Sequence, residues 1–128
     1  MSIKRLDHVN LRTAQLDRMR RWYVDVLGLA EGFRPNFPFD GAWLYAGDVA
    51  LVHLVDVPET TDNEQLKLEH FAFAATDYTS FMTRMEKHGV ATDIRAVPGT
   101  SITQVNIWDP DGNHIHVDFD GVQADGPG

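Results

Sequence analysis

Two stretches decide how this chain is read: Leu6-Asp7-His8-Val9-Asn10-Leu11 near its start and Leu68-Glu69-His70-Phe71-Ala72-Phe73 past its middle. Each runs apolar, acidic, His, apolar, and each is followed by a helix-like segment, a Gly and a further His. His8 to Gly28 is 20 residues and His70 to Gly89 is 19, while His8 to His53 is 45 and His70 to His116 is 46. Slips of a single residue over such distances mark an internal repeat. The chain reads as one unit written twice.

Outward from the first stretch, residues 5–12 alternate, with Val9 and Leu11 on one face and Leu6, His8, Asn10 and Arg12 on the other, the period of a half-buried strand. Thr13 is placed to cap a helix reaching Leu27, because Leu16, Met19, Tyr23, Val26 and Leu27 recur at helical spacing and Gly28 offers a left-handed stop. A short strand is expected over 29–33, then a loop over 34–41 rich in Pro and Phe, then a hairpin of 42–46 and 49–57 about Gly47-Asp48. Residues 58–66 are polar, acidic and aperiodic, a linker.

The second half repeats the order. A strand over 67–75 precedes a helix capped by Asp77, with an apolar stripe of Tyr78, Phe81, Met82 and Met85 and a stop at Gly89. Strands follow at 92–97 and 101–108, then the turn Asp109-Pro110-Asp111-Gly112 and a closing strand over 114–119. The expectation is an α+β fold of two tandem βαβββ modules, 3–57 and 67–120, with a tail at 121–128, all in one domain. A chain of 128 residues buries about two-thirds of its extended surface, enough for a core without staples.

Composition narrows the function. With no Cys, a metal here is held by imidazoles or carboxylates. A net charge of -8 with 11 scattered Lys and Arg repels a phosphate backbone, which argues against nucleic acid. No run of about 18 apolar residues suits a membrane span, and Met1-Ser2-Ile3-Lys4-Arg5 lacks a secretory pattern. A cytoplasmic protein with a small-molecule partner is expected.

Strand alternation then sorts the side chains. On the closing strand Ile115, Val117 and Phe119 share one face and His114, His116 and Asp118 the other. Helices cover apolar faces, so His8, His53, His70 and His116 project from the uncovered ones, although Leu51 and Val55 flank His53 on its own side. Trp43 and Tyr45 fall beside His53, and Gln104, Asn106 and Trp108 beside His116, a lining suited to a ligand cavity. A lone strand His is ordinarily structural, but four at the equivalent positions of a repeat point to a metal centre. Arg12, on the face of His8, suits an anionic substrate group, and Trp43, Asn106 and Trp108 suit the rest of a substrate. Asp118 is placed to orient His116 or to act as a base, and Tyr45 is the other candidate catalytic group. By the same alternation Asp7 and Glu69 point to the opposite face, His114 falls to solvent or a supporting place, and His88 suits a helix C-terminus.

These marks resemble the vicinal oxygen chelate superfamily, which includes glyoxalase I, fosfomycin-resistance enzymes, methylmalonyl-CoA epimerase, extradiol dioxygenases and the metal-free bleomycin-resistance proteins. They are Leu6-Asp7-His8-Val9, Trp22-Tyr23-Val24-Asp25-Val26-Leu27-Gly28-Leu29, Leu68-Glu69-His70 and Asp109-Pro110-Asp111-Gly112-Asn113. The resemblance implies sheets curled around a cleft with the helices outside, and metal ligands on the first and last strand of each module. Those positions are His8, His53, His70 and His116. It implies a divalent ion (Fe, Mn, Ni, Co or Zn), a substrate that chelates it through adjacent oxygens, and chemistry of the glyoxalase or dioxygenase type. The alternative is metal-free antibiotic binding of the bleomycin-resistance kind. Relatives that use metal mostly carry Glu where this chain has His116. Both one-chain and two-chain completion of the site occur in the family, and a homodimer is expected.

Overall fold

A computed structural model describes residues 5–59 and 68–121. Most of the expected linker, and the tail beyond Gly121, lie outside the described residues. The chain divides into two compact units, Met1–Asp62 and Asn63–Gly128.

In the first unit, β1 (Val9–Thr13) leads into α1 (Leu16–Asp25), followed by β2 (Ala30–Gly32), β3 (Gly41–Ala46) and β4 (Val49–Asp56). Strand β1 pairs parallel with β4, and β4, β3 and β2 continue antiparallel, giving the order β1-β4-β3-β2. The second unit repeats this with β5 (Phe71–Ala75), α2 (Tyr78–Lys87), β6 (Asp93–Ala96), β7 (Ile102–Trp108) and β8 (His114–Asp120), in the order β5-β8-β7-β6. The architecture is α+β, two βαβββ modules, each with an open four-stranded mixed sheet.

Helix and strand limits follow local chemistry. Thr13 does not cap the helix; it is the last, fully buried residue of β1, and its hydroxyl accepts from Gln15 N–H at 3.0 Å, so α1 starts later than Thr13 suggests. Helix α1 ends where Gly28 takes φ 74°, with Leu29 N–H bonded to the Tyr23 carbonyl and Gly28 N–H to that of Val24. That paired closure needs a left-handed residue after the helix, and glycine adopts it without a Cβ penalty. Helix α2 opens as expected on Asp77, whose carboxylate accepts from Ser80 N–H at 3.2 Å.

One face of each sheet carries the core. Met19 and Tyr23 of α1 are buried together with Leu11, Leu44, Val52 and Leu54. In the second module Tyr78 and Phe81 of α2 meet the ring of Phe119, above Val105, Ile107, Ile115 and Val117. The turn before β8 is held by the buried Asp109 carboxylate, which accepts from the backbone of Asp111 and Asn113 and from the Asn113 amide at 2.8–2.9 Å. This fixes where β8, and with it His116, begins. No helix among the described residues is long and apolar enough to cross a membrane.

Two substitutions test this core by urea unfolding. Phe119 is fully buried, so Phe119→Ala is expected to cost about 3–5 kcal/mol. The Tyr78 hydroxyl is buried with no hydrogen-bond partner among the described residues, so Tyr78→Phe is expected to be neutral or to stabilise by up to about 1 kcal/mol.

Candidate metal centre

Parallel pairing brings each first-strand histidine to its last-strand counterpart. In the first module Asn10 stands beside His53, and His8, two residues earlier, stacks its ring on His53 at 3.9 Å and 11°. On the other side Trp43, directly opposite His53 on β3, stacks on it at the same distance and angle. His53 is thus sandwiched between an imidazole and an indole. In the second module the rings of His70 and His116 lie 4.6 Å apart, with His116 facing Ala72 and Asn106 across the ladders.

Each of these four rings has one nitrogen engaged by an oxygen acceptor. Nδ1 of His8 donates to Asp7 at 2.8 Å, Nδ1 of His70 to Glu69 at 3.0 Å and Nδ1 of His116 to Asp118 at 2.7 Å. His53 instead uses Nε2, toward the Ala50 carbonyl at 3.2 Å. The opposite nitrogen of each makes no hydrogen bond within the described residues. A ring whose proton is fixed on one nitrogen offers a lone pair on the other, the arrangement metal-ligating histidines use.

Asp7 and Glu69 therefore do not point away from the histidines, as alternation predicts. β1 begins at Val9 and β5 at Phe71, so residues 7–8 and 69–70 lie ahead of the strands, where successive side chains need not oppose one another. The Asp7 carboxyl is held below its usual range mainly by the hydrogen bond from His8, and that of Glu69 by His114 first and His70 next. His114 is no bystander either. Its Nδ1 meets Glu69 Oε2 at 2.8 Å, its Nε2 meets Asn106 Oδ1 at 2.8 Å, and its ring stacks on Trp108 at 13°. The repeated acidic residue before each leading His was the sequence signal for the missed partners.

Arg12 is exposed on β1, on the same side as Asn10. Tyr45 lies across Gly32, where a Cβ would stand 2.9 Å from its ring, and its hydroxyl donates to the Phe33 carbonyl at 2.5 Å. Asn106 is buried and donates to the Asp93 carbonyl at 3.1 Å, so both ends of its amide are engaged. Trp108 is 47% exposed.

The family model of the Glyoxalase/Bleomycin resistance protein/Dioxygenase superfamily matches residues 5–117. The chain belongs to this superfamily. Among solved structures that share the glyoxalase fold, a glyoxalase family protein from Bacillus anthracis superposes with a TM-score of 0.77 at 21% identity, covering 94% of this chain and 98% of its own. A lactoylglutathione lyase from Agrobacterium tumefaciens gives 0.71 at 23% identity, covering 93% and 96%. A glyoxalase/dioxygenase from Nostoc punctiforme gives 0.69 at 21% identity, covering 91% of each chain. At these identities the superpositions speak for the fold. No curated protein matches the sequence.

Burial, and next the charge on His8, push the His53 imidazole below its ordinary value, opposed more weakly by Ala50 and Asp7. The folded chain then binds that proton less readily than the unfolded chain. The His53 contribution is whole above the unfolded value of about 6.5 and is lost as pH falls through the lower folded value. In metal-free protein the melting temperature is expected to drop as pH is lowered from about 6.5 to 5. His53→Gln should flatten that dependence in a thermal-melt series.

Proposed function

We propose that this chain is a metal-dependent enzyme of the glyoxalase/dioxygenase type, acting on a small molecule that presents two adjacent oxygens to a divalent ion. The observation that carries the reading is the state of the four repeat-equivalent rings, each with one nitrogen engaged by an acceptor and the other making no hydrogen bond within the described residues. The donor set fits a borderline ion such as Fe(II), Co(II), Ni(II) or Zn(II). In this reading His8 and His53 of the first module and His70 and His116 of the second are the ligands. A bound ion supplies Lewis acidity toward the substrate oxygens.

The chain's own groups do the rest. Asp118, already accepting from His116, is a positioning residue that sets that ring's tautomer, and Asp7 does the same for His8. Trp43 and Trp108 offer flat apolar walls to a planar or aliphatic substrate, and Arg12 offers charge to an anionic group. Tyr45 is held by the Phe33 carbonyl and must leave it to move a proton. The assembly this reading expects is a homodimer, to be checked by sedimentation.

Calorimetric titration of chelator-treated protein with Zn(II) or Co(II), followed by assays on diols, catechols and hemithioacetals, tests the proposal. Stoichiometric uptake is expected, with affinity lowered at least about tenfold in His8→Ala and in His116→Ala. Affinity unchanged in both variants, or binding of an aromatic antibiotic by a protein that takes up no metal, overturns it.

A further inference from the structure

The two modules repeat in fold but not in chemistry. Two residues before the last-strand histidine the first module has Leu51 and the second has His114. Opposite that histidine the first has Trp43 and the second Asn106. The second module therefore holds an extra imidazole, which meets Glu69, and an extra amide, which holds that imidazole from behind.

Glu69 spans two rings, Oε1 to His70 Nδ1 at 3.0 Å and Oε2 to His114 Nδ1 at 2.8 Å. One donor atom from each of Glu69, His70 and His114 lies within 4.8 Å of the others. We propose that these three residues form a divalent-cation site of their own, contained in the second module and independent of His8, His53 and His116. Two imidazoles and a carboxylate are the donor set of non-haem Fe(II) sites, and equally suit Zn(II) and Co(II). A proton in each Nδ1–H···O contact now stands where an ion would be shared.

The support behind His114 argues for a built site over an accidental ion pair. Ligating histidines almost always donate their other N–H to a fixed oxygen. His114 Nε2 faces Asn106 Oδ1 at 2.8 Å, and Asn106 is itself pinned through Nδ2 to the Asp93 carbonyl at 3.1 Å and to Gln104. Trp108, parallel to the His114 ring, closes one side of it. Surface ion pairs need none of this and contribute little on their own. The Glu69 carboxylate is exposed, so an ion from solvent reaches it directly.

The site uses His70, which the four-histidine reading also uses, so an ion at one position competes with an ion at the other. The test is Zn(II) calorimetry with Co(II) visible absorption on the full chain carrying His8→Ala and His53→Ala, which removes the first module's donors. One equivalent is expected to bind to this variant. Adding Glu69→Gln or His114→Asn should weaken it at least about tenfold, adding Asn106→Leu about tenfold, and adding His116→Ala should leave it unchanged. Glu69 is exposed, so Glu69→Gln keeps the fold and its result stands even if a buried variant unfolds. Uptake abolished in the double variant, or insensitive to both Glu69→Gln and His114→Asn, overturns this site while leaving the four-histidine reading intact. Uptake that tracks Glu69 and His114 but never His116 or His8 supports this site and removes that reading.

Discussion

The parallel pairing of each module's first strand with its last is the contact on which the site depends. Parallel neighbours cannot be joined by a tight turn; they require a crossover, which here is a helix and two further strands. The crossover puts the helix on one face of the sheet and leaves His53 and His116 on the other. The register then sets Asn10 beside His53 and Ala72 beside His116, so a histidine two residues before Asn10 or Ala72 comes within ring contact of its partner. A shift of one residue would turn His53 or His116 into the apolar face. The alternation of buried Val52 and Leu54 with His53, and of Ile115 and Val117 with His116, is what forbids that shift.

Most of this was legible in the sequence because repeat spacing and strand period survive without tertiary information. The near-equal separations His8–His53 and His70–His116 gave the two modules, and alternation gave the faces of Val9, Leu11, Ile115 and Val117. What was not legible is where a strand starts. Reading β1 from residue 5 and β5 from residue 67 carried alternation into residues 5–8 and 68–70, which are not strand, and so turned Asp7 and Glu69 away from the histidines they bond. Hydrogen bonding of the backbone, not side-chain pattern, decides that boundary. Thr13 was misread for a related reason: a hydroxyl at a strand end serves a bend as readily as a helix cap.

The two halves resolve the crowding of their histidines differently. In the first module the rings are parallel and packed, imidazole on imidazole on indole, and His53 is desolvated between them. Burial favours a neutral His53 ring, and next the nearness of His8 at 3.9 Å does so, because a charge on His53 would be set against it. In the second module the rings are tilted, the Glu69 carboxylate bridges two of them, and the Asn106 amide holds one of those two. The register slip at Leu44 and Tyr45, next to Leu51, is a local bulge with no counterpart in the β7–β8 ladder, where pairing runs unbroken to Trp108 and His114. That unbroken ladder is what carries His114 up to Glu69.

The difference bears on what an ion would do in each setting. Four neutral imidazoles leave a divalent ion its full charge, which favours polarising a bound oxygen, while any proton must go to a group outside the ligand set. Replacing donors by Glu69 removes one unit of that charge and lowers the pull on an oxygen ligand, while retaining two imidazoles for affinity. The proposed four-histidine set, with His116 in it, would thus lack a carboxylate, and the proposed Glu69 set would have one. If both proposed sites hold, the ion's place relative to Glu69 would set its acidity, and His70, a donor in both proposals, would make the choice exclusive.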